Sequence, residues 1–299
     1  MTKAATLAQM GNTNQTFRNR IINGAMVIDQ RNAGASVTVN SSTATYPVDR
    51  FAGRGVASAG VFTAQQSSTA PTGYINSVVC TVTTAASPPG ATDAYLFRQN
   101  VEGLNVADLG WGSASAATVT LSFWVRSSLT GTFGGAIQNS AFNRFYPFSY
   151  TINSANTWEQ KSVTIAGDTS GTWLTTSGIG MTISFSLGAG SSRVNTAGTW
   201  TASTTEGATG QTNLISTNGA TWYVTGVQLE AGTTATPFEY RQYGTELQLC
   251  QRYYWKTPYY VIHYRGVGTT QIQTTMPMPV GMRTAPTVTV TTKIGRAHV

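Results

Sequence analysis

Seven runs of β-branched, aromatic and aliphatic residues, at 75–83, 93–99, 118–126, 148–152, 158–165, 180–187 and 222–229, are each closed by Gly, Asn or Ser. Short strands at this turn-separated spacing predict an all-β sandwich. In ATVTLSFWVRS, Val119, Leu121, Phe123 and Val125 fall on one face, and Thr118, Thr120, Ser122, Trp124 and Arg126 on the other. That period of two suits a half-buried strand with its first face in the core. Charged residues make up only 10% of the 299 residues, against 40% hydrophobic ones, enough for a core without a helix bundle. Tandem repeats, βαβ alternation and heptads are missing.

The stretch 219–255 predicts how that sandwich closes. Trp222, Tyr223, Val224, Val227 and Leu229 form the last strand, Glu230 to Gly232 turn it, and Pro237 restricts the backbone beyond. Thr245 and Gln248 have the spacing of a capping box. Leu247, Cys250 and Tyr254, with Leu249 and Tyr253 beside them, then fall at helical spacing. A short helix is therefore expected to join two β units. NVADLGWG (105–112) predicts a single helical turn.

Several function classes are excluded. The net charge of +7 favours anionic surfaces such as lipopolysaccharide or acidic capsule, but the basic residues are scattered singly, so no nucleic-acid partner is expected. No run of about 18 apolar residues occurs, so no membrane insertion is expected. The N-terminus lacks the apolar core of a secretory signal, and residues 1–18 read as a flexible lead-in. Cys80 and Cys250 are expected to be buried free thiols. His263 stands alone in a β run, without a GxSxG elbow, a Cys/His zinc cluster, a P-loop or a GxGxxG stretch. No cofactor or metal is expected. Glycoside hydrolysis needs only two carboxylates, and Asp93, Glu102 and Asp108 lie close in sequence, where they also read as turn and helix-start residues. The last residues, KIGRAHV (293–299), break the Thr/Val alternation before them and match the translation of a sequencing adapter. They are expected to be an artefact, along with the charges of Lys293 and Arg296.

The segment VTGVQLEAGTTATPFEYRQYGTELQLCQRYYW (224–255) resembles the end of the jelly-roll domain in a family of phage tail-fibre and receptor-binding proteins. The resemblance continues through RNRIINGAMVIDQRN (18–32), YPVDRF (46–51), FRQNVEGLNVADLGWGSASAATVTLSFWVRSSLTGTF (97–133) and SYTINSANTWEQKSVTIAGDTSGTW (149–173). It implies a jelly-roll β-sandwich at 19–241, a connecting helix at 242–255 and a truncated small β module at 256–292. The segment at 18–32 resembles the first strand of carbohydrate-binding jelly rolls of galactose-binding-like topology. Such domains often carry a structural calcium, but the acidic pair expected before the last V-x-L is replaced here by Thr225 and Gly226, leaving Asp29 and Glu230. No calcium is therefore expected.

By the same resemblance the chain is a tail-fibre component of a virion, made in the host cytoplasm and released by lysis. It would recognise a bacterial surface polysaccharide or lipopolysaccharide without catalysis, beside other virion tail proteins and as a homo-oligomer such as a trimer. Sugars present apolar faces edged by hydroxyls, so aromatic rings beside hydrogen-bonding groups suit them. The candidates are Trp124 and Arg126 on one strand face, Arg144 and Tyr150 in NRFYPFSY, and Trp111, Trp173 and Trp200 in Gly/Ser/Thr-rich loops. Arg126 is also suited to gripping a carboxylate or phosphate through two hydrogen bonds. The structural alternatives are a Trp124 covered by a loop or lying between sheets, and loop tryptophans that cap the sandwich edge. Asp49 and Arg50 read as ligand contacts or a corner ion pair. Two other functions remain open: a structural tail or decoration protein with Trp124 and Tyr150 against a neighbouring subunit, and a polysaccharide depolymerase.

Overall fold

The computed structural model describes residues 17–56, 59–256, 265–266, 272–273 and 277–289. In chain order the strands are β1 (Val37–Val39), β2 (Thr45–Val48), β3 (Phe51–Val56), β4 (Val61–Ser67), β5 (Ser77–Thr84), β6 (Ala94–Glu102) and β7 (Val119–Ser127). They continue as β8 (Gly131–Gln138), β9 (Phe145–Ile152), β10 (Glu159–Ile165), β11 (Ile179–Ala189), β12 (Val194–Asn195), β13 (Gly207–Ala208) and β14 (Thr221–Ala231). One sheet has the order β1-β4-β5-β14-β7-β10 and the other β2-β3-β6-β11-β8-β9. The pairs in both are antiparallel, and the chain crosses repeatedly from one sheet to the other, which makes the fold a jelly-roll sandwich.

The facing sides supply one aromatic core. Trp222 is fully enclosed, between Phe97 at 5.9 Å and Phe185 at 5.4 Å, and its indole donates to the Tyr150 hydroxyl at 3.1 Å. Val119, Leu121, Phe123 and Val125 are buried there, on the face that their alternation predicted. All seven predicted strands form, within a few residues of their expected ends. Strands β1 to β4, β8, β12 and β13 had no prediction. In β8, GTFGGAIQ, glycine hides the strand, because glycine weakens strand propensity. At Gly135 a Cβ would lie 2.4 Å from the Phe148 ring, so the gap is needed by the core.

The N-terminal segment corrects one expectation. Residues 17–28 form no strand; Asn23 (φ 61°) and Met26 (φ 59°) turn it instead. It threads between β14, β6 and the helix: Arg20 N donates to Leu229 O at 2.8 Å, Val227 N to Gly24 O at 3.0 Å, and Ile22 N to the Gln99 side chain at 3.0 Å. A Cβ on Gly24 would stand 2.1 Å from Val227 O, so only glycine fits there.

The helix α1 spans Tyr243–Gln251 and starts earlier than the capping-box spacing implied: Gln242 is its N-cap, no side chain caps it, and Thr245 lies within. Its Glu246 instead accepts the Asn23 backbone N–H. As the apolar spacing predicted, Cys250 is buried, packed with Ile22 and Ile28. Cys80 and Cys250 are both free buried thiols, and burial raises the pKa of each. The predicted turn near 105–112 appears as a 3-10 helix at Ala107–Leu109. Residues 1–16, His263 and the 293–299 segment lie outside the described residues, as does about half of 256–292. From that last region the structure describes a two-residue pairing of Arg265–Gly266 with Ile272–Gln273 and the stretch 277–289.

The β9–β10 turn carries a prediction of its own. Partial burial opposes ionisation of Glu159, but Lys161 at 2.6 Å, the backbone N–H groups of Asn153 and Ser154 and the Asn153 amide overcome it, drawing its pKa down to about 2. A folded-state pKa below the usual value gives stability that is present above that value and lost as pH falls towards the folded one. Glu159→Gln is therefore expected to flatten the acid limb of the urea midpoint between about pH 4.5 and 2, leaving the slope above pH 5 unchanged. An unaltered acid limb would show that the turn does not depend on this carboxylate.

Candidate functional site

The residues singled out from the sequence fall in three places. Trp124 and Arg126 stand half-buried on the outward face of the first sheet. Arg126 Nε donates to Asn156 O at 2.9 Å, its guanidinium lies 5.1 Å from the Tyr223 ring centre, and Trp158 meets that ring edge-on at 6.1 Å. Trp124 approaches the Tyr74 hydroxyl, which lies in an aromatic group with Phe238 and Tyr240. Tyr74 covers a bulge in β14 at Gly226 (φ 61°), where a Cβ would lie 2.6 Å from the Tyr74 hydroxyl.

Tyr150 lies inside the sandwich, 6% exposed, between Phe123 and Phe133. Trp111, Trp173, Trp200 and Arg144 do come together, as a corner. The three indoles meet edge-on at 4.7, 5.4 and 5.6 Å, and Trp111 and Trp173 are buried. Their N–H groups are engaged: Trp111 with Ala117 O at 2.8 Å, Trp200 with Ala166 O at 2.9 Å, and Trp173 with Asp168 at 3.2 Å. Arg144 grips the buried Asp168 through two bonds of 2.7 and 2.6 Å. The corner is a closed network.

The acidic candidates are separated too. Asp49 is buried and pairs with Arg31 at 3.0 Å, whereas Arg50 lies 3.4 Å over the Tyr253 ring and donates to Asn100 O, so the two form no corner ion pair. Asp93 and Glu102 flank β6 at opposite ends, about 30 Å apart at strand rise. That exceeds the spacing of up to about 9.5 Å that a hydrolytic carboxylate pair uses. Glu102 binds Arg252 and Tyr253, and Asp108 binds Arg20. Among the described residues no group of three or more His, Cys, Asp or Glu is placed to hold a metal. Asp29 accepts backbone N–H groups of its own turn, and Glu230 accepts the backbone N–H and the hydroxyl of Thr236.

A different surface carries unsatisfied chemistry. On the second sheet the register sets Ala52, Arg98, Ser184 and Ala136 in one outward row. The next row contains Asn100, Thr182 and Gln138. One side of this face is walled by the 193–212 segment. There Thr201 exchanges backbone bonds of 2.9 Å with Phe145, and Gln211 donates to Ser186 Oγ at 2.8 Å. The other side is bordered by the 40–42 turn, where Ser41 O accepts from Gly55 N at 2.8 Å and Ser42 O from Arg54 Nε at 3.0 Å. Between these walls lie Arg54 and Arg98, half-buried, with Glu206 and Tyr46 close enough to Arg98 to act on its charge.

The floor of this trough is polar and unpaired. Ser184 Oγ and Gln138 Oε1 are buried and have no hydrogen-bond partner among the described residues. Buried polar atoms are almost always paired, by protein, water or ligand. The Arg98 side chain makes no hydrogen bond or ion pair with any described residue; burial followed by the Arg54 charge lowers its pKa, against the opposing pull of Tyr46 and Glu206. The half-buried guanidinium forks of Arg54 and Arg98 are the groups on this face that can offer directed hydrogen bonds to a polyhydroxylated molecule. Another pocket, of about 390 Å³, lies where Arg20 and Arg241 meet the N-terminal segment. Both guanidiniums there already bind the chain itself, at Asn105 O, Asp108, Ile21 O and Glu246.

No protein-family model matches the sequence, and no curated protein matches it. Among solved structures, the chain is similar to a candidate sugar-binding protein from Bacteroides thetaiotaomicron, with a TM-score of 0.40 and 13% identity, over 72% of this chain and 100% of the other. It is also similar to the family 11 carbohydrate-binding module from Clostridium thermocellum in complex with a mixed-linked β-1,3-1,4 tetrasaccharide, with a TM-score of 0.33 and 11% identity, over 68% and 99%. A third similarity is to the enzymatically active domain of tailspike protein 4 from bacteriophage CBA120, with a TM-score of 0.36 and 13% identity, over 72% of this chain and 21% of the tailspike.

Proposed function

We propose that this protein recognises glycans without catalysis, and that it does so on the outward face of the second sheet as a receptor-binding component of a phage tail. The observation that carries the binding reading is the half-buried pair Arg54 and Arg98 on this face, whose side chains reach solvent, with no side-chain hydrogen bond from Arg98 to any described residue. The tail assignment is supported by the motifs shared with phage tail-fibre proteins, from RNRIINGAMVIDQRN to LCQRYYW. Repeated copies on a virion would multiply a modest single-site affinity by avidity.

The test couples stability to binding. Arg98→Gln is expected to leave the protein within about 1 kcal/mol of wild type, while weakening its retention on bacterial surface polysaccharides. Denaturant titration and affinity electrophoresis measure the two effects on one sample. Loss of stability with binding intact would make Arg98 a structural residue and remove the main support for this site.

A further inference from the structure

The helix α1 does not end free. Arg252, the residue after it, sets its guanidinium fork on both oxygens of Glu102, at 3.0 and 2.6 Å, and the Tyr253 hydroxyl donates to the same carboxylate. Glu102 closes β6 with its side chain 1% exposed. A carboxylate out of water needs such partners to keep its charge. Burial opposes its ionisation, but the fork, the phenol and the Arg283 charge outweigh that and lower its pKa. Arg252 also reaches the other way. Its remaining nitrogen donates to Gly281 O at 3.2 Å, and its carbonyl accepts from Arg283 N at 2.9 Å. Arg283 in turn donates to Ser177 O at 3.0 Å, just before β11. Alongside, Arg50 lies 3.4 Å over the Tyr253 ring, Arg31 lies 3.6 Å over Tyr254, and Gln30 donates to Tyr254 O at 2.9 Å. Two stretches 29 residues apart in the chain thus meet on Arg252.

We infer that the Glu102–Arg252 pair is the lock of a stiff joint, which holds residues 281–283 against the end of the sandwich so that sandwich, helix and this stretch move as one body. A short helix leading out of a β unit swivels when its far end is bare. Here the far end is pinned on two sides by one side chain. Arginine suits that task, because its planar guanidinium carries five donors in fixed directions and can hold a carboxylate on one edge and a carbonyl on another. Lysine would keep the charge without the two edges. On a tail with repeated copies, a stiff joint would fix the spacing of the binding faces, on which avidity depends. That consequence rests on the tail reading; the joint itself does not.

Backbone amide NMR relaxation on the full chain tests the joint without any glycan. In the wild type the Arg283 amide is expected to share the order parameter of the β6 and β11 amides, about 0.85. Arg252→Lys loses the fork and the Gly281 bond, and Glu102→Gln loses the charge while keeping an acceptor for Tyr253. In both, the Arg283 amide is expected to fall below about 0.6 while β6 and β11 keep their values. Arg283→Met cuts only the bond to Ser177 and leaves Glu102 paired, so the amide at that position is expected to stay ordered. A wild-type Arg283 amide already below about 0.6 would overturn the stiff joint outright. Unchanged order in folded Arg252→Lys and Glu102→Gln would overturn the role of the ion pair. Should those two variants lose the β6 and β11 signals and so fail to fold, Arg283→Met decides alone: retained order supports the lock at Arg252, and lost order assigns it to Ser177 instead.

Discussion

Trp222→Ala is expected to destabilise the protein by about 3–5 kcal/mol, the range for emptying a large aromatic site in a packed core. The indole is fully enclosed, at the point where β14 of one sheet meets Phe97 and Phe185 of the other. Its removal opens a cavity between the sheets. It also strips the Tyr150 hydroxyl of the N–H that donates to it, stranding a phenol that burial already keeps from ionising. Trp222→Phe separates the two effects, since it refills most of the volume without the donor. It is expected to recover more than half of the loss in urea denaturation at neutral pH. A Trp222→Ala protein within 1 kcal/mol of wild type would mean that this region repacks freely, contrary to the dense aromatic contacts seen.

Asp168→Ala is expected to have an effect of similar size for an electrostatic reason. Asp168 is 1% exposed, receives both bonds of the Arg144 fork and accepts from the Trp173 indole and from Ser170 N. Deleting the buried partner of an ion pair leaves an uncompensated cation and typically costs about 3–5 kcal/mol. Arg144 is about one-fifth exposed, which places the expectation at the lower end, about 3 kcal/mol. The double variant Asp168→Ala with Arg144→Met should be more stable than Asp168→Ala alone, because it removes the stranded charge. Tryptophan fluorescence reports the corner itself, where Trp111, Trp173 and Trp200 meet. If the double variant proves no more stable than the single one, the corner is held by its indoles and not by the ion pair.

Strand β7 and the last strand β14 were legible because their alternation separates a core face from a polar face, and both separations hold in the fold. Strand β8 was hidden by the glycines that give Phe148 and the 207–211 segment their room. The N-terminal turn at Asn23–Gly24 stood where the resemblance implied a first strand. Its role as a strap under β14 depends on a partner more than 200 residues away, to which local patterning is blind. The trough shows the same division. Parity alone places Arg98 opposite Phe97, and Ser184 opposite Ile183 and Phe185. No sequence rule states that β6 lies beside β11 and β11 beside β8, and it is that adjacency which gathers Arg98, Ser184 and Gln138. The aromatic-rich loops drew attention to Trp111, Trp173 and Trp200 by composition, and their contacts emerge only once the chain is folded around Asp168.

Amide and side-chain NMR shift mapping of the full chain, titrated with oligosaccharides from the polysaccharide it retains best, tests the glycan-binding face directly. Perturbations should centre on Arg98, Ser184 and Gln138 and fade towards the opposite sheet. Shifts confined to Trp124, Arg126 and Tyr223, with Arg98 and Ser184 unmoved, would contradict the account and move the site to the outward face of the first sheet.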